Sequence, residues 1–243
     1  RLTENDGAQR NLTANYIHPL PGNAVLKMGY EYGRNEIGQA FSAADIDDVT
    51  GLPVNQVGYT NHFVLVDRNH QVYATYQKPF GKLTVLGGLR LEAAQTEYDQ
   101  RTTAVTGEVD YNEVHPTLHL QYAVAEGQAL TLSYSHRVQR PNQTQRNPFL
   151  QITNEFTAYS GNPALRPQET HSWEAGWRWQ QGPKSAGATL YYRENYNTIG
   201  EVNSFLTPQI VLNTFENQGT STSAGVALNA GGKATSTITW RAN

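Results

Sequence analysis

Wherever this chain carries apolar side chains in number, it carries them at every second position, and that period admits little besides β-strands. From Val25 to Tyr32 one face holds Leu26, Met28, Tyr30 and Tyr32, and the other Lys27, Gly29 and Glu31. From Val114 to Val124 one face is Val114, Pro116, Leu118, Leu120, Tyr122 and Val124, and the other His115, Thr117, His119, Gln121 and Ala123. The runs from Leu130 to Arg137 and from Ser172 to Trp179 repeat the pattern without a break. Shorter stretches repeat it around Leu12, Val72, Leu83, Leu190, Val226 and Trp240. The series amounts to roughly ten strands, many of them longer than the usual ~5–6 residues.

The connections sort by parity. Short turns rich in Gly and Pro are expected near 18–23, 78–82, 125–128, 181–185 and 229–233, and long connections near 37–63, 98–110, 137–168 and 197–213. Short and long alternate strictly. In an up-and-down barrel successive connections fall on opposite rims, and outer-membrane barrels keep short turns on the periplasmic rim and long loops outside. A soluble β-sandwich, the bland alternative, has no reason to sort its loops this way.

The polar faces carry Lys27, Glu31, Arg90, Glu92, His115, His119, Glu174, Arg178 and Arg193. A small soluble barrel fills its interior with apolar side chains, so here the apolar face belongs outside, against lipid. Tyr16, Tyr76, Tyr122, Trp177 and Trp179 fall near the short-turn ends of their strands, where a ring with a polar tip suits the headgroup region. No stretch approaches the ~20 consecutive apolar residues of a spanning helix. Spanning strands need only alternate residues apolar, so 38% hydrophobic content is compatible with a membrane. The reading is an all-β, antiparallel, up-and-down transmembrane barrel segment over residues 1–243, placed in the outer membrane.

Other classes fall away on composition. There is no Cys, hence no disulfide framework or thiolate metal site, and the net charge of −3 gives no basis for nucleic-acid binding. The start, Arg1-Leu2-Thr3-Glu4, shows no basic-then-apolar signal segment, which suggests a processed chain or a piece of a longer one. No nucleophile elbow, phosphate loop or zinc-binding run occurs. His115 and His119, at i and i+4 on a strand, stand about 13 Å apart and cannot share one metal. Asp45, Asp47 and Asp48, near Asn55 and His62, form an acidic loop without the spacing of a Ca²⁺ loop. No catalytic, cofactor or metal residue is assigned.

One segment resembles a known family. Tyr134-Ser135-His136-Arg137-Val138-Gln139-Arg140-Pro141, then Asn147-Pro148-Phe149, then Gly161-Asn162-Pro163-Ala164-Leu165-Arg166-Pro167-Gln168-Glu169 and Glu174-Ala175-Gly176, are similar to the strand–loop–strand signature of TonB-dependent receptor barrels. Gln168 stands where that family usually has Glu. The motif's Pro and Gly residues shape the descent from a long loop into a strand. The resemblance implies part of a larger barrel of about 22 strands with a plugged lumen. It also implies active uptake of a scarce nutrient: a ferric siderophore, cobalamin or an oligosaccharide. The partner TonB would act through an N-terminal plug region that these residues do not contain. The alternatives are a passive porin-like channel and a small ten-stranded outer-membrane enzyme, for which Asp45, Asp47, His62 and Asp110 would have to meet at the rim.

The long loops supply the candidate ligand residues Arg140, Arg146, Phe149, Asn154, Phe156, Tyr159 and Phe205. Aromatic rings with Arg and Asn suit a metal chelate or a glycan. They equally suit loops that pack on one another.

Overall fold

The computed structural model describes residues 2–42, 44–55, 60–235 and 237–243. The chain runs through β1 (Leu2–Leu20), β2 (Ala24–Ser42), a small hairpin of β3 (Ala44–Ile46) and β4 (Pro53–Asn55), then β5 (Asn61–Phe80), β6 (Leu83–Gln100), β7 (Val105–Ala125) and β8 (Gln128–Gln139). A single helical turn, α1 (Gln143–Arg146), and strands β9 (Gln151–Asn154) and β10 (Thr157–Tyr159) lead to β11 (Gln168–Gln181) and β12 (Lys184–Tyr196). Strands β13 (Ile199–Phe205) and β14 (Val211–Asn217) precede β15 (Thr220–Lys233) and β16 (Thr239–Ala242).

Ten strands form one sheet in the order β1-β2-β5-β6-β7-β8-β11-β12-β15-β16, so each strand pairs with its neighbours in the meander. All these pairings are antiparallel. Side chains expected on the apolar face stand out from the sheet, among them Leu12, Met28, Val72, Leu89, Leu118, Leu132, Trp177, Leu190 and Val226. An unburied stripe of this breadth on successive strands is a lipid-facing wall.

Several strands are far longer than the ~9–11 residues that cross a bilayer; β7 has 21. The excess stands beyond the membrane on the loop side, and the outer face changes character there. Going up β2, Leu26, Met28, Tyr30 and Tyr32 give way to Arg34 and Glu36, which pair at 2.8 Å. At the same height Arg68 of β5 pairs with Glu97 of β6. Just below lies a second aromatic belt. The Tyr30 hydroxyl bonds His70 Nδ1 at 2.8 Å, and Tyr134, Trp173 and Tyr192 follow at ring spacings of 5.3 and 5.8 Å. The sequence pointed to a girdle at the short-turn rim only; strand pairing assembles this one from residues on five strands.

Four expected connections differ, the one expected at 197–213 extending to 219, where β15 follows. The turn expected at 229–233 lies inside β15, which continues to Lys233, and the reversal comes at 234–238. Gly231 and Gly232 serve the strand there: a Cβ on Gly232 would meet Trp240 Nε1 at 3.3 Å. The connection expected at 98–110 shrinks to residues 101–104, because β6 and β7 stay paired out to Gln100↔Val105. The one expected at 37–63 narrows to 43–60, since β2 and β5 stay paired to Phe41↔Asn61. Polar residues on a paired ribbon look like loop in sequence, but cross-strand hydrogen bonds hold them as strand. The rims still alternate as expected.

Candidate functional site

The loop of residues 140–167 folds back onto the concave face of the wall, and named polar contacts hold it there. Asn142 caps α1 reciprocally with Gln145, each side chain bonding the other's backbone N–H at 2.9 Å. The turn delivers Arg146, 6% exposed, to Asp67 on β5. Its Nη1 and Nη2 donate to the two carboxylate oxygens, each at 3.0 Å, and Nη1 also donates to Thr96 Oγ1 at 3.0 Å. Arg140 donates to the Tyr111 hydroxyl at 2.5 Å and to the buried Glu92 carboxylate. Gln100, fully buried, donates through Nε2 to Asn61 Oδ1 at 2.5 Å and Asn147 Oδ1 at 3.0 Å. Phe63 and Leu65, on the same face of β5 as Asn61 and Asp67, are buried. The dry core of this chain therefore sits where the loop meets the wall.

The Gly-Asn-Pro motif closes this arrangement. Gly161 N donates to Asn147 O at 2.8 Å and Asn162 N to Gln145 O at 2.7 Å. Leu165, 3% exposed, fills a crevice with Val109, Pro141, Pro163 and Pro167. A Cβ on Gly161 would lie 2.6–2.7 Å from backbone atoms of Asn147 and Thr144. Gly161→Ala is expected to push the loop off α1 at a cost of about 1–3 kcal/mol, seen as faster proteolysis within 140–167 while the barrel strands stay protected.

The second long loop, 197–219, joins the first. Strands β13, β14, β10 and β9 form one four-stranded sheet, with β10 parallel to β14. Asn162 Nδ2 donates to Phe215 O at 3.0 Å, and Asn217 bonds both the N–H and the carbonyl of Arg166 at 2.9 Å. The packing reading of these loops is thus realised, and it gathers the candidate residues into two groups. Phe205 and Phe156, 77% and 65% exposed, flank Val211 at one end of the sheet, with Asn154 beside Phe156. Phe149 and Tyr159 line a cleft of about 200 Å³ with Gln39, Phe41, Asn61 and Gln151. Burial, and then the nearby Glu201, pushes the Tyr159 hydroxyl above its ordinary pKa. Arg140 and Arg146 belong to neither group, because both are engaged at the wall.

Below the loop the concave face is wet and charged. A cavity of about 670 Å³ is bordered by Lys27, Gln71, Arg90, Glu92, His115 and His119. A second, of about 560 Å³, shares His119 and Arg137 with it and continues to Glu174 and Arg193. Arg90 donates to Gln71 at 2.6 Å, and Arg193 donates to Glu174 at 3.3 Å. This surface offers donors and acceptors in alternation, as a lumen for a polar solute requires.

The acidic loop is put to local use. Asp47 Oδ1 accepts from the backbone of Thr50 at 2.7 Å, the Thr50 hydroxyl at 2.9 Å and the backbone of Val49 at 2.9 Å, which closes the β3–β4 hairpin. Those bonds, the Thr50 backbone first, hold its carboxyl below the usual range. His62 faces Arg101 at 3.3 Å. Among the described residues one close grouping of three His or acidic side chains does arise, and it lies elsewhere: His136, Glu169 and His171. Only the pairing of β8 with β11 reveals it, since His136 and its partner His171 lie 35 positions apart in sequence.

The whole chain, residues 1–243, matches the model of the outer membrane protein beta-barrel family. No curated protein matches it by sequence. Among solved structures, it is similar to the copper transporter OprC (TM-score 0.74, 14% identity, 96% of this chain and 36% of that one). It is also similar to the ferric citrate transporter FecA in its unliganded form (TM-score 0.70, 16% identity, 95% and 33%). A third is the Serratia marcescens hemophore receptor HasR, solved as a double mutant with its hemophore HasA and heme (TM-score 0.63, 18% identity, 96% and 40%). The chain spans little more than a third of the length of these structures, and at such identities the likeness speaks for the fold. With an apolar face turned outward, a charged concave face and loops gathered on one rim, this chain belongs to the outer membrane protein beta-barrel family.

Proposed function

We propose that the chain is the wall and loop cap of a TonB-dependent receptor, which binds a scarce nutrient at its outer loops and lumen and passes it inward. The observation that carries this is the joined loop sheet lying over a charged concave face, on a framework shared with transporters of copper and ferric citrate. The loop is held against the wall by the Arg146–Asp67 ion pair. The bilayer meets the outer face, and TonB acts through a plug domain outside residues 1–243. The ligand is a metal chelate, such as a ferric siderophore, or cobalamin or a glycan. Phe149 and Tyr159 meet it in the cleft, Asn154, Phe156 and Phe205 at the exposed end of the loop sheet. Arg140 and Arg146 act by holding the loop in place. Transport rather than chemistry is the function.

The test is uptake of labelled ferric siderophores, cobalamin and maltooligosaccharides by Gram-negative cells producing the full-length protein. One class is expected to enter at nanomolar concentration only when TonB is present and the inner membrane is energised. Uptake that persists without TonB would replace this reading with a passive channel. For the ligand that enters, Phe149→Ala and Tyr159→Ala should each weaken binding by about 1–2 kcal/mol, measured on whole cells.

A further inference from the structure

At the root of the 140–167 loop, three side chains converge in a way the barrel itself does not require. The β7–β8 ladder ends at Thr117↔Ser135. The next residue of β7 is Pro116, which has no N–H to extend it. Above that point β7 stays with β6 and β8 with β11, so a seam opens between β7 and β8. The His136 side chain, 5% exposed, lies at this seam. Its Nδ1 donates to Val114 O at 2.8 Å across the seam, which leaves Nε2 as the ring atom placed to coordinate. That Nε2 is buried without a hydrogen-bond partner and faces Glu169 Oε2 at 3.3 Å. His171 stands directly opposite His136 in register, the rings stacked at 4.4 Å, with Nδ1 2.8 Å from the Tyr134 hydroxyl. One ligand atom from each of His136, Glu169 and His171 lies within 4.8 Å of the others.

We propose that these three residues bind a divalent transition-metal cation, Zn²⁺ in the first instance. Two imidazoles and a carboxylate are a ligand set that Zn²⁺ accepts, with water completing the tetrahedron. Each ring is oriented through Nδ1 by a second partner, Val114 O for His136 and the Tyr134 hydroxyl for His171, as is usual for metal-bound imidazoles. The carboxylate supplies the negative charge. The site sits at the loop-side aromatic belt, beside Tyr134 and Trp173, so the cation arrives from outside the cell. Because β8 and β11 are the strands from which the loop leaves and to which it returns, a bound ion clamps the loop's root. The site lies at the seam: Glu169 and His171 belong to the outer face, while His136 also borders the lumen cavity and packs against the His115 ring at 5.0 Å.

The test uses the full-length protein in detergent, stripped by a chelator and titrated with Zn²⁺ by calorimetry. Co²⁺ is then used as a spectroscopic stand-in. The wild type should bind Zn²⁺ at micromolar or lower concentration and show visible Co²⁺ bands. Glu169→Gln and His171→Ala should each bind Zn²⁺ at least about 100-fold more weakly, and Tyr134→Phe about 10-fold, the effect of losing the hydroxyl that orients the His171 ring. His119→Ala, on the lumen face, should leave binding unchanged. Heat-modifiable mobility on gels reports whether each variant still forms its barrel. Zn²⁺ affinity that is the same in wild type and His171→Ala would overturn the proposal. So would wild-type protein that shows no Co²⁺ bands, whatever the variants do.

Discussion

Replacing Asp67 with Ala is expected to unlatch residues 140–167 from the wall, at a cost of about 3 kcal/mol. Removing one member of a buried ion pair costs ~3–5 kcal/mol, because the partner's charge stays buried and uncompensated. Here Arg146 is the buried member and Asp67 is part-exposed, with side-chain exposures of 8% and 24%, which places the effect at the low end. The guanidinium would keep only Thr96, and its Nε already lacks a partner. The loss falls on the loop, because the strands of the sheet keep their own ladders. Limited proteolysis should therefore accelerate within 140–167 by about a hundredfold, while cleavage in the short turns is unchanged. The double variant Asp67→Ala/Arg146→Met should recover much of the loss, since no buried charge is left unpaired. Equal protease resistance in wild type and Asp67→Ala would show that the ion pair is not the latch.

The second large effect separates a membrane wall from a soluble sheet. Leu132 is 51% exposed and lies between Leu120 and Ala175, midway between the two aromatic belts. On a soluble surface Leu132→Arg would change stability by no more than about 0.5 kcal/mol. Facing hydrocarbon it should cost about 2–4 kcal/mol, because a guanidinium near the bilayer midplane loses its water. The neighbouring Ser133 borders the wet lumen, so Ser133→Arg should fall within the small range. Denaturant titration of the full-length protein refolded into phosphatidylcholine bilayers measures both. A neutral Leu132→Arg would overturn the orientation of the whole sheet.

The strands were legible in sequence because alternation is a local property. Leu130, Leu132 and Tyr134 need no partner strand to declare a face, and the facing residues proved to be the outward ones. The motif from Tyr134 to Gly176 likewise carried its resemblance without coordinates. What misled was polarity read as loop. Ile37 to Phe41, Tyr98 to Gln100 and Val105 to Asp110 were expected in connections, yet they continue as ribbon because cross-strand hydrogen bonds outweigh composition. Gly231-Gly232 signalled a turn, but glycine there gives Trp240 room.

The candidate site was only half legible. The loops announced aromatic and arginine residues, but nothing local could say which of them face solvent. Arg146 and Phe156 are ten positions apart in one loop, and the fold buries the first against Asp67 and leaves the second in the open. Likewise, His136, Glu169 and His171 meet only because β8 pairs with β11 in one register; a slip of one residue would turn His171 to the opposite face. The sequence by itself determined the strand period, the sidedness of the wall, the alternation of rims and the family, since each of these rests on neighbours along the chain. The tertiary structure alone decided how far the strands stay paired beyond the membrane, how the two long loops combine into one sheet, and which distant charges end up in contact. Those depend on register and on burial between segments tens of residues apart, and no local pattern records them.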